Sequence, residues 1–340
     1  MTVPEGVEHR LFSLITGFRA SQLVRVAVEL GLPELIGAEP VSSDELAQAT
    51  GTHEPALRRA LRALVALGVF AETAEGRFVE SALSTGLRRD APGGYGELAT
   101  SVPEGYVAWG HLDEALRSGV PVYPRLYGRS HFETLAQDPA LAERFNRAMA
   151  TSSAADAVAI AAAYPFPARG TVVDVGGGQG GLLAGVLRAH PGLAGVLFDL
   201  PAGLAGAPAY LAAQGVAERC TLVAGNFFEA LPAGEVYLLR RILHDWDDAA
   251  AVAILVSCRR AMRGAARLLI SELLLPAQVR PGFADERVTM LDLHMLVLLG
   301  GRERTEAEYR TLIERAGLRP RRTIATGRPS SLIEADLPEA

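Results

Sequence analysis

The sequence predicts an α/β protein, with a doubly wound sheet in its C-terminal half behind a mostly helical N-terminal domain. Three observations carry this. From Thr171 onward strand-like apolar runs alternate with helical ones, which implies a parallel sheet covered by helices on both faces. The first run, Thr171 to Val175, breaks into Gly176-Gly177-Gly178-Gln179-Gly180-Gly181 and then into Leu182-Leu183-Ala184-Gly185-Val186-Leu187, a buried strand, a tight turn and the start of a helix. Residues from about 8 to 90 instead show helical spacing, with one small β-element near the end. A chain of 340 residues at 49% hydrophobic content can bury two sizeable cores. The expected division is a winged-helix-like dimerisation domain over 1–100, a helical linker and pocket segment over 101–163, and a cofactor-binding catalytic domain over 164–340.

Taken in order, Leu11, Leu14, Ile15 and Phe18 recur at helical spacing, as do Leu23, Val24, Ala27 and Val28, before Gly31-Leu32-Pro33 breaks the run. Ser42 to Glu45 offer capping residues for a short helix, and Leu57, Leu61, Leu64 and Val65 mark a second apolar stripe. Gly68-Val69-Phe70 and Arg77-Phe78-Val79 bracket a hairpin, completing a winged-helix pattern. Its nucleic-acid reading would use Arg58, Arg59 and Arg62. The acidic chain and the cofactor domain that follows favour a dimerisation or substrate-lid module. From about 101 to 163 the pattern is helical again, interrupted at Gly119-Val120-Pro121 and Asp138-Pro139. The expected strands are Thr171 to Val175, Ala194 to Asp199, Cys220 to Ala224, Glu235 to Leu239 and Arg267 to Leu274, with a weaker pair at Arg319 to Ala325 and Ser331 to Ala335.

Composition excludes several chemistries. All 33 basic residues are arginine, so neither lysine Schiff-base chemistry nor a phosphate-loop lysine is available. A formal net charge of -6 suits a phosphate backbone poorly. Cys220 and Cys258 sit in apolar runs and read as buried thiols, and no Cys-x-x-Cys or His-x-x-x-His spacing supports a metal site. No apolar stretch reads as membrane-spanning, since Leu291 to Leu299 is interrupted by Asp292 and His294. MTVPEGVEHR lacks the basic and apolar regions of a signal peptide, so a cytoplasmic location is expected.

The glycine turn points to an adenosine-bearing cofactor. Glycines let backbone approach a ligand, the helix N-terminus offers free N–H groups, and Asp199 closes the next apolar run where a carboxylate can accept both ribose hydroxyls. Gly176, Gly178 and Gly181 also satisfy the dinucleotide fingerprint, so a nicotinamide-dependent dehydrogenase stays open on this pattern. Asp174 tips the balance. Two residues before the first glycine, it would repel a pyrophosphate but meet a free amino group or a sulfonium.

The second informative stretch is Arg240-Arg241-Ile242-Leu243-His244-Asp245-Trp246-Asp247-Asp248, which follows a strand and precedes a helix. His244 therefore falls in a loop at the ligand edge of the sheet, where an imidazole titrating near neutrality can take a hydroxyl proton. Asp247 and Asp248 read as helix N-terminal residues. Glu272 interrupts the apolar strand Leu268 to Leu274 and so calls for a partner; Glu303 lies in Gly300-Gly301-Arg302-Glu303-Arg304-Thr305 ahead of a helix.

In this order and spacing, DVGGGQGG, FDLP, LHDWDD, SELLLP and GGRERTEAEY resemble the small-molecule O-methyltransferases of the plant caffeic-acid type and their bacterial polyketide- and antibiotic-tailoring relatives, over nearly the whole chain. The resemblance implies a Rossmann-like methyltransferase sheet, S-adenosylmethionine as cofactor and a homodimer, with neither nucleic acid nor membrane as partner. Asp199 would hold the ribose, Asn226 and Phe227 would contact adenine, and Arg240 stands where the family commonly has a lysine that binds the cofactor. Ser153, Asp174, Gly176, Gly178 and Leu200 complete the implied cofactor set. His244 matches the general base, Glu272 and Glu303 the acids that orient it, and Phe145, Met149, Leu291 and Met295 the walls of the substrate pocket. Two departures stand out: Asn226 replaces a frequent aspartate, and Arg240 is bulkier and more planar than lysine. The implied reaction is in-line methyl transfer to a hydroxyl oxygen of an aromatic or polyketide-type acceptor held at roughly 3 to 3.5 Å. Relatives that run other reactions on this scaffold, such as hydroxylation, and a winged-helix regulator that senses a small ligand are the remaining alternatives.

Overall fold

A computed structural model describes residues 5–89, 91, 95–101 and 103–339; Met1 to Pro4, at the head of the N-terminal stretch read above, lie outside them. The chain divides into two compact units at residue 102.

The first unit contains α1 (Glu5–Glu29), α2 (Leu32–Leu35), α3 (Ser43–Thr50), α4 (Glu54–Ala66), the antiparallel hairpin β1 (Phe70–Glu72) and β2 (Phe78–Glu80), α5 (Ala82–Gly86) and α6 (Tyr95–Ser101). A capping box starts α3, with the Ser42 side chain accepting from the Glu45 N–H and Glu45 reaching back to the Ser42 N–H. Leu57, Leu61 and Leu64 face a small core with Phe70, Phe78, Leu46 and Ile36, which leaves Arg58, Arg59 and Arg62 exposed. Contrary to the expectation that no stretch is membrane-spanning, the Gly6–Glu29 stretch of α1 is, by length and composition alone, apolar enough to cross a membrane. Its apolar residues reach far beyond the stripe that packs at Ala27 and Val28. Leu11, Leu14, Ile15 and Phe18 all stand exposed, Ile15 at 72%.

The second unit opens with α7 (Pro103–Trp109), α8 (Leu112–Ser118), α9 (Tyr123–Tyr127), α10 (His131–Gln137) and α11 (Pro139–Ala163). The segment expected as a linker is thus built into this unit. Gly119 caps α8, and Asp138 caps α11 with Pro139 in its first turn, at the two interruptions read from the sequence. The alternating region follows as β3 (Gly170–Val175), α12 (Gly181–Ala189), β4 (Leu193–Asp199), α13 (Ala207–Ala213), β5 (Cys220–Ala224), β6 (Val236–Arg240), α14 (Asp248–Ala261), β7 (Arg267–Leu275), α15 (Phe283–Leu298), β8 (Arg304–Thr305), α16 (Glu306–Arg315), β9 (Arg319–Ala325) and β10 (Ser330–Asp336).

The sheet runs β5-β4-β3-β6-β7-β10-β9, and β8 adds a short parallel pairing to β7. The first five strands are parallel, as expected, but β10 and β9 are antiparallel, so the sheet is mixed. A hairpin-like return allows this without a crossover helix. Every residue of β6 is buried, as befits a central strand with both faces covered. On one face Val173, Tyr237, Leu239, Leu268 and Ile270 pack with α14 and α16; on the other Val172, Leu238 and Leu269 pack with α11, α12 and α13. The carboxyl ends of β3, β4, β5 and β6 therefore open on one edge, where such sheets hold ligands.

Candidate active site

The glycine turn at the end of β3 is shaped by close approach. Gly176 has φ +69°, donates its N–H to Phe198 O at 2.8 Å, and a Cβ there would lie 2.5 Å from Ile242 Cδ1. Asp174 packs beneath Gly177, is 1% exposed, and its Oδ2 has no hydrogen-bond partner among the described residues. Burial pushes its carboxyl up to about 7, against the opposing pull of the Leu183 backbone N–H and the Arg240 charge. An unpaired buried carboxylate is costly until a cation meets it. Asp199, at the end of β4, accepts the Gly178 N–H at Oδ2 (2.8 Å) and the Leu200 N–H at Oδ1 (2.7 Å), and burial raises it despite both bonds. Leu200 thus contributes backbone, its side chain standing 50% exposed. Beyond β5, Asn226 Oδ1 accepts the Phe228 N–H at 3.0 Å, so the side-chain oxygen caps its own turn. Phe227 sits edge-on to Phe228 and Trp246, with its ring beside Gly176.

Arg240 and Ser153 are joined to each other. The guanidinium donates from Nε and Nη2 to Asp156 Oδ2 (3.0 and 2.6 Å), from Nη1 to Ser153 Oγ (2.8 Å) and from Nη2 to Ser152 Oγ (3.0 Å). Most of its five donors are spent on α11. Instead of reaching out as a free cation, as a lysine there can, Arg240 ties β6 to the helix behind the turn.

The His244 loop begins with Arg241, the one non-glycine residue of positive φ (54°) among those described. It is fixed by Arg241 N–H to Ser271 O at 3.0 Å, and the next two N–H groups, of Ile242 and Leu243, donate to Glu272 Oε1 at 3.2 and 3.0 Å. Glu272, expected to orient the imidazole, instead holds the backbone of the loop that carries it, and its buried Oε2 has no partner among the described residues. Glu303 does reach the ring: its Oε1 lies 2.6 Å from His244 Nδ1. Asp245 Oδ1 lies 3.3 Å from Nε2. Ligand-type atoms of His244, Glu272 and Glu303 fall within 4.8 Å of one another, though the hydrogen bond already engages the ring nitrogen and Oε1. Burial pushes the imidazole down and both carboxyls up, Glu303 to about 7, and burial likewise carries Asp245 to about 6.

Two neighbours lock this geometry. A Cβ on Gly301 would lie 2.1 Å from His244 O, so the two loops meet only at a glycine. Arg304, with no exposed surface, donates to Leu243 O, Trp246 O and Asp248 Oδ1 at 2.8 to 3.0 Å, clamping the turn on both sides of His244. Arg304→Ala strands two carbonyls, and we expect a stability loss of about 3 kcal/mol, read as a shift in denaturation midpoint.

Of the expected pocket walls, Met295 is buried on α15, while Leu291 and Met149 are partly buried. Phe145 packs on Leu135, Leu141 and Ala142 with its ring edge-on to His131. Sequence reasoning assigned no role to Asp156, Arg241, Asp245, Arg304, His131 or His294. A positive-φ arginine leaves no pattern, but Arg304, the second arginine of GGRERT and the buried one of the two, could have been suspected from its place beside Glu303.

Comparison with known proteins agrees with this architecture. A profile described as an O-methyltransferase domain matches residues 109–319, and one described as an O-methyltransferase dimerisation domain matches residues 12–90. The chain is 41% identical over 339 residues to the O-demethylpuromycin-O-methyltransferase of Streptomyces alboniger, covering 97% of this chain and 89% of that protein. It superposes on the crystal structure of LaPhzM with a TM-score of 0.93 at 39% identity, over 99% and 100% of the two chains. It also matches NcsB1, an O-methyltransferase from neocarzinostatin biosynthesis solved with S-adenosylmethionine and 2-hydroxy-5-methyl naphthoic acid, at TM-score 0.81 and 35% identity over 94% and 96%.

Proposed function

The chain belongs to the O-methyltransferase family, whose members use S-adenosylmethionine, and on that premise we propose that it methylates a hydroxyl of an aromatic or polyketide-type small molecule with His244 as general base. The dehydrogenase left open by the glycine pattern gives way to this family. The observation that carries the reading is the Glu303–His244 pair: a carboxylate accepting the Nδ1 proton leaves the Nε2 lone pair free to take one.

The residues present fit the cofactor. The unpaired Asp174 oxygen suits its cationic amino-acid end, the Asp199 carboxylate retains lone pairs for a ribose, and Phe227 offers a flat apolar face beside the turn. When bound, S-adenosylmethionine supplies an electrophilic methyl group on sulfur. The chain's own part is to seat the acceptor, hold the imidazole tautomer through Glu303, take the hydroxyl proton at Nε2, and stabilise the resulting imidazolium. Arg240, Ser153, Asn226 and Glu272 serve by fixing the backbone around these groups.

Incubation with methyl-labelled cofactor and a panel of phenols tests the activity by mass spectrometry. Gain of one methyl on oxygen is expected; transfer to none of the panel, or to nitrogen alone, refutes the reading. A further outcome concerns Asp174. Its ionised form attracts the cationic cofactor, so affinity should fall as pH drops through about 7, by up to tenfold per pH unit, and Asp174→Asn should bind weakly with a flat profile in calorimetry.

We place the protein in the cytoplasm as a homodimer. The exposed face of Leu11, Leu14, Ile15 and Phe18 on α1 lies largely within the region matching the dimerisation profile, and a second copy covering it accounts for an otherwise membrane-like helix. Ile15→Asp with Phe18→Asp should weaken self-association on the order of 10²-fold or more, measured by light scattering across concentration.

A further inference from the structure

Beyond the reacting pair, the second unit holds two further histidines, His131 buried and His294 partly buried, whose ring nitrogens do not all find partners among the described residues. His294, on α15, receives the Trp109 indole N–H at its Nδ1, 2.9 Å away. An indole nitrogen only donates, so Nδ1 must be the accepting, unprotonated nitrogen of a neutral ring, and the proton sits on Nε2. Among the described residues that Nε2–H donates to nothing. His131, 3% exposed at the start of α10, has a buried Nδ1 with no partner among the described residues, and the rings of Tyr123 and Phe145 meet it edge-on at 5.4 and 5.5 Å.

Both rings stay neutral at working pH: burial carries each down to about 4, with the charges of His244 and Arg241 adding to the effect on His294, and that of His294 to the effect on His131. His294, through its helix, and His131, through its neighbour Phe132, are both tied to the elements that carry the reacting centre. Two residues before His294, Asp292 accepts the Glu303 N–H at 2.8 Å, which fixes α15 to the backbone of the residue whose carboxylate holds His244. His294 lies three positions after Leu291, hence on the same helix face. Phe132, next to His131, stacks on Trp246, two residues past His244, at 6.2 Å and 11°.

Resting on the methyltransferase reading above, we propose that His294, with its proton held on Nε2 by Trp109, is a specificity-determining donor that selects acceptors carrying a neutral carbonyl oxygen beside the hydroxyl to be methylated. Acceptors of the hydroxy-ketone or hydroxy-quinone class meet that description. A neutral oxygen is favoured over a carboxylate because Asp245, Glu272 and Glu303 already crowd negative groups around His244. His131 supplies a second, weaker polar contact within the aromatic wall. A donor that the bound acceptor covers and leaves unpaired is what gives such a site its discrimination.

The test uses one scaffold with three substituents: 1-naphthol, 2-acetyl-1-naphthol and 1-hydroxy-2-naphthoic acid. Methyl transfer is followed as kcat/KM, and binding by calorimetry with S-adenosylhomocysteine present. The wild type should prefer the ketone over naphthol by about tenfold or more in both measurements. His294→Phe should lose at least tenfold more on the ketone than on naphthol, His294→Gln, which keeps an N–H, should recover part of the preference, and Trp109→Phe should reduce it. Equal treatment of ketone and naphthol by the wild type overturns the proposal, as does a uniform loss on both in His294→Phe, which marks a packing residue. Preference for the acid assigns recognition to a cation such as Arg241 and likewise overturns it. Selective binding of the ketone without methylation of any of the three supports the recognition site while refuting the transfer reaction.

Discussion

His244→Ala is expected to lower kcat by about 10²- to 10⁴-fold, the usual worth of a positioned general base, while the dissociation constant for S-adenosylmethionine changes little. The asymmetry follows from placement. His244 lies on the turn after β6, whereas the groups assigned to the cofactor lie at the ends of β3, β4 and β5. Initial rates and calorimetry on the same preparation separate the two quantities. Wild-type turnover in the variant would leave proximity alone as the source of rate.

The pH profile gives an independent reading of the same group. His244 and Glu303 share a hydrogen bond at 2.6 Å and titrate as a unit. With one proton between them, on Nδ1, the Nε2 lone pair is available. A second proton caps Nε2 wherever it is taken up: directly, as an imidazolium, or through a neutral Glu303 that donates to Nδ1 and leaves the ring's own proton on Nε2. Burial pushes Glu303 up to about 7 and the imidazole down, so with S-adenosylmethionine kept saturating at every pH, to silence the Asp174 titration, we expect kcat/KM for the acceptor to fall about tenfold per pH unit on the acid side of roughly pH 7, and this limb to vanish in His244→Ala.

Glu303→Gln should be nearly as damaging as loss of the histidine, at about 10³- to 10⁴-fold in kcat, despite an almost unchanged shape. An amide can donate to Nδ1, which puts the ring proton on Nε2 and removes the base; if it turns its oxygen to the ring, it leaves a buried amide N–H group unpaired and loses the charge that stabilises the imidazolium. Because the glutamate backbone N–H still meets Asp292, the loop should remain in place and the thermal midpoint should move by only a few degrees. A rate loss below tenfold with intact folding would make Glu303 a structural acid. The contrasting result at Glu272 sharpens the comparison: its oxygen holds the Ile242 and Leu243 N–H groups, so Glu272→Gln should act through stability and loop geometry more than through the acid limb of the pH profile.

Most of the fold was legible because its signals are local. Alternation of apolar runs located β3 to β7 within a residue or two, and the glycine turn announced itself through residues that only a tight strand-to-helix connection needs. The antiparallel return of β10 was not legible, since strand direction depends on which neighbour a run pairs with and no period records that. Nor did the spacing of α1 show that most of its apolar face would stay uncovered.

The candidate site divides in the same way. Sequence alone determined which residue types were available and in what order: Asp174 before the glycines, Asp199 after the second strand, His244 between β6 and α14, and Glu272 and Glu303 farther on. Tertiary structure decided what each one touches. It gave Glu303 to the imidazole and Glu272 to the backbone, spent Arg240 on Asp156, buried Arg304 behind the His244 turn, and fixed the His294 proton through Trp109. A hydrogen bond is satisfied over about 3 Å between atoms that lie dozens of residues apart in the chain, so its partner is a property of packing, whereas the alternation that builds the strands is written within a few neighbouring residues.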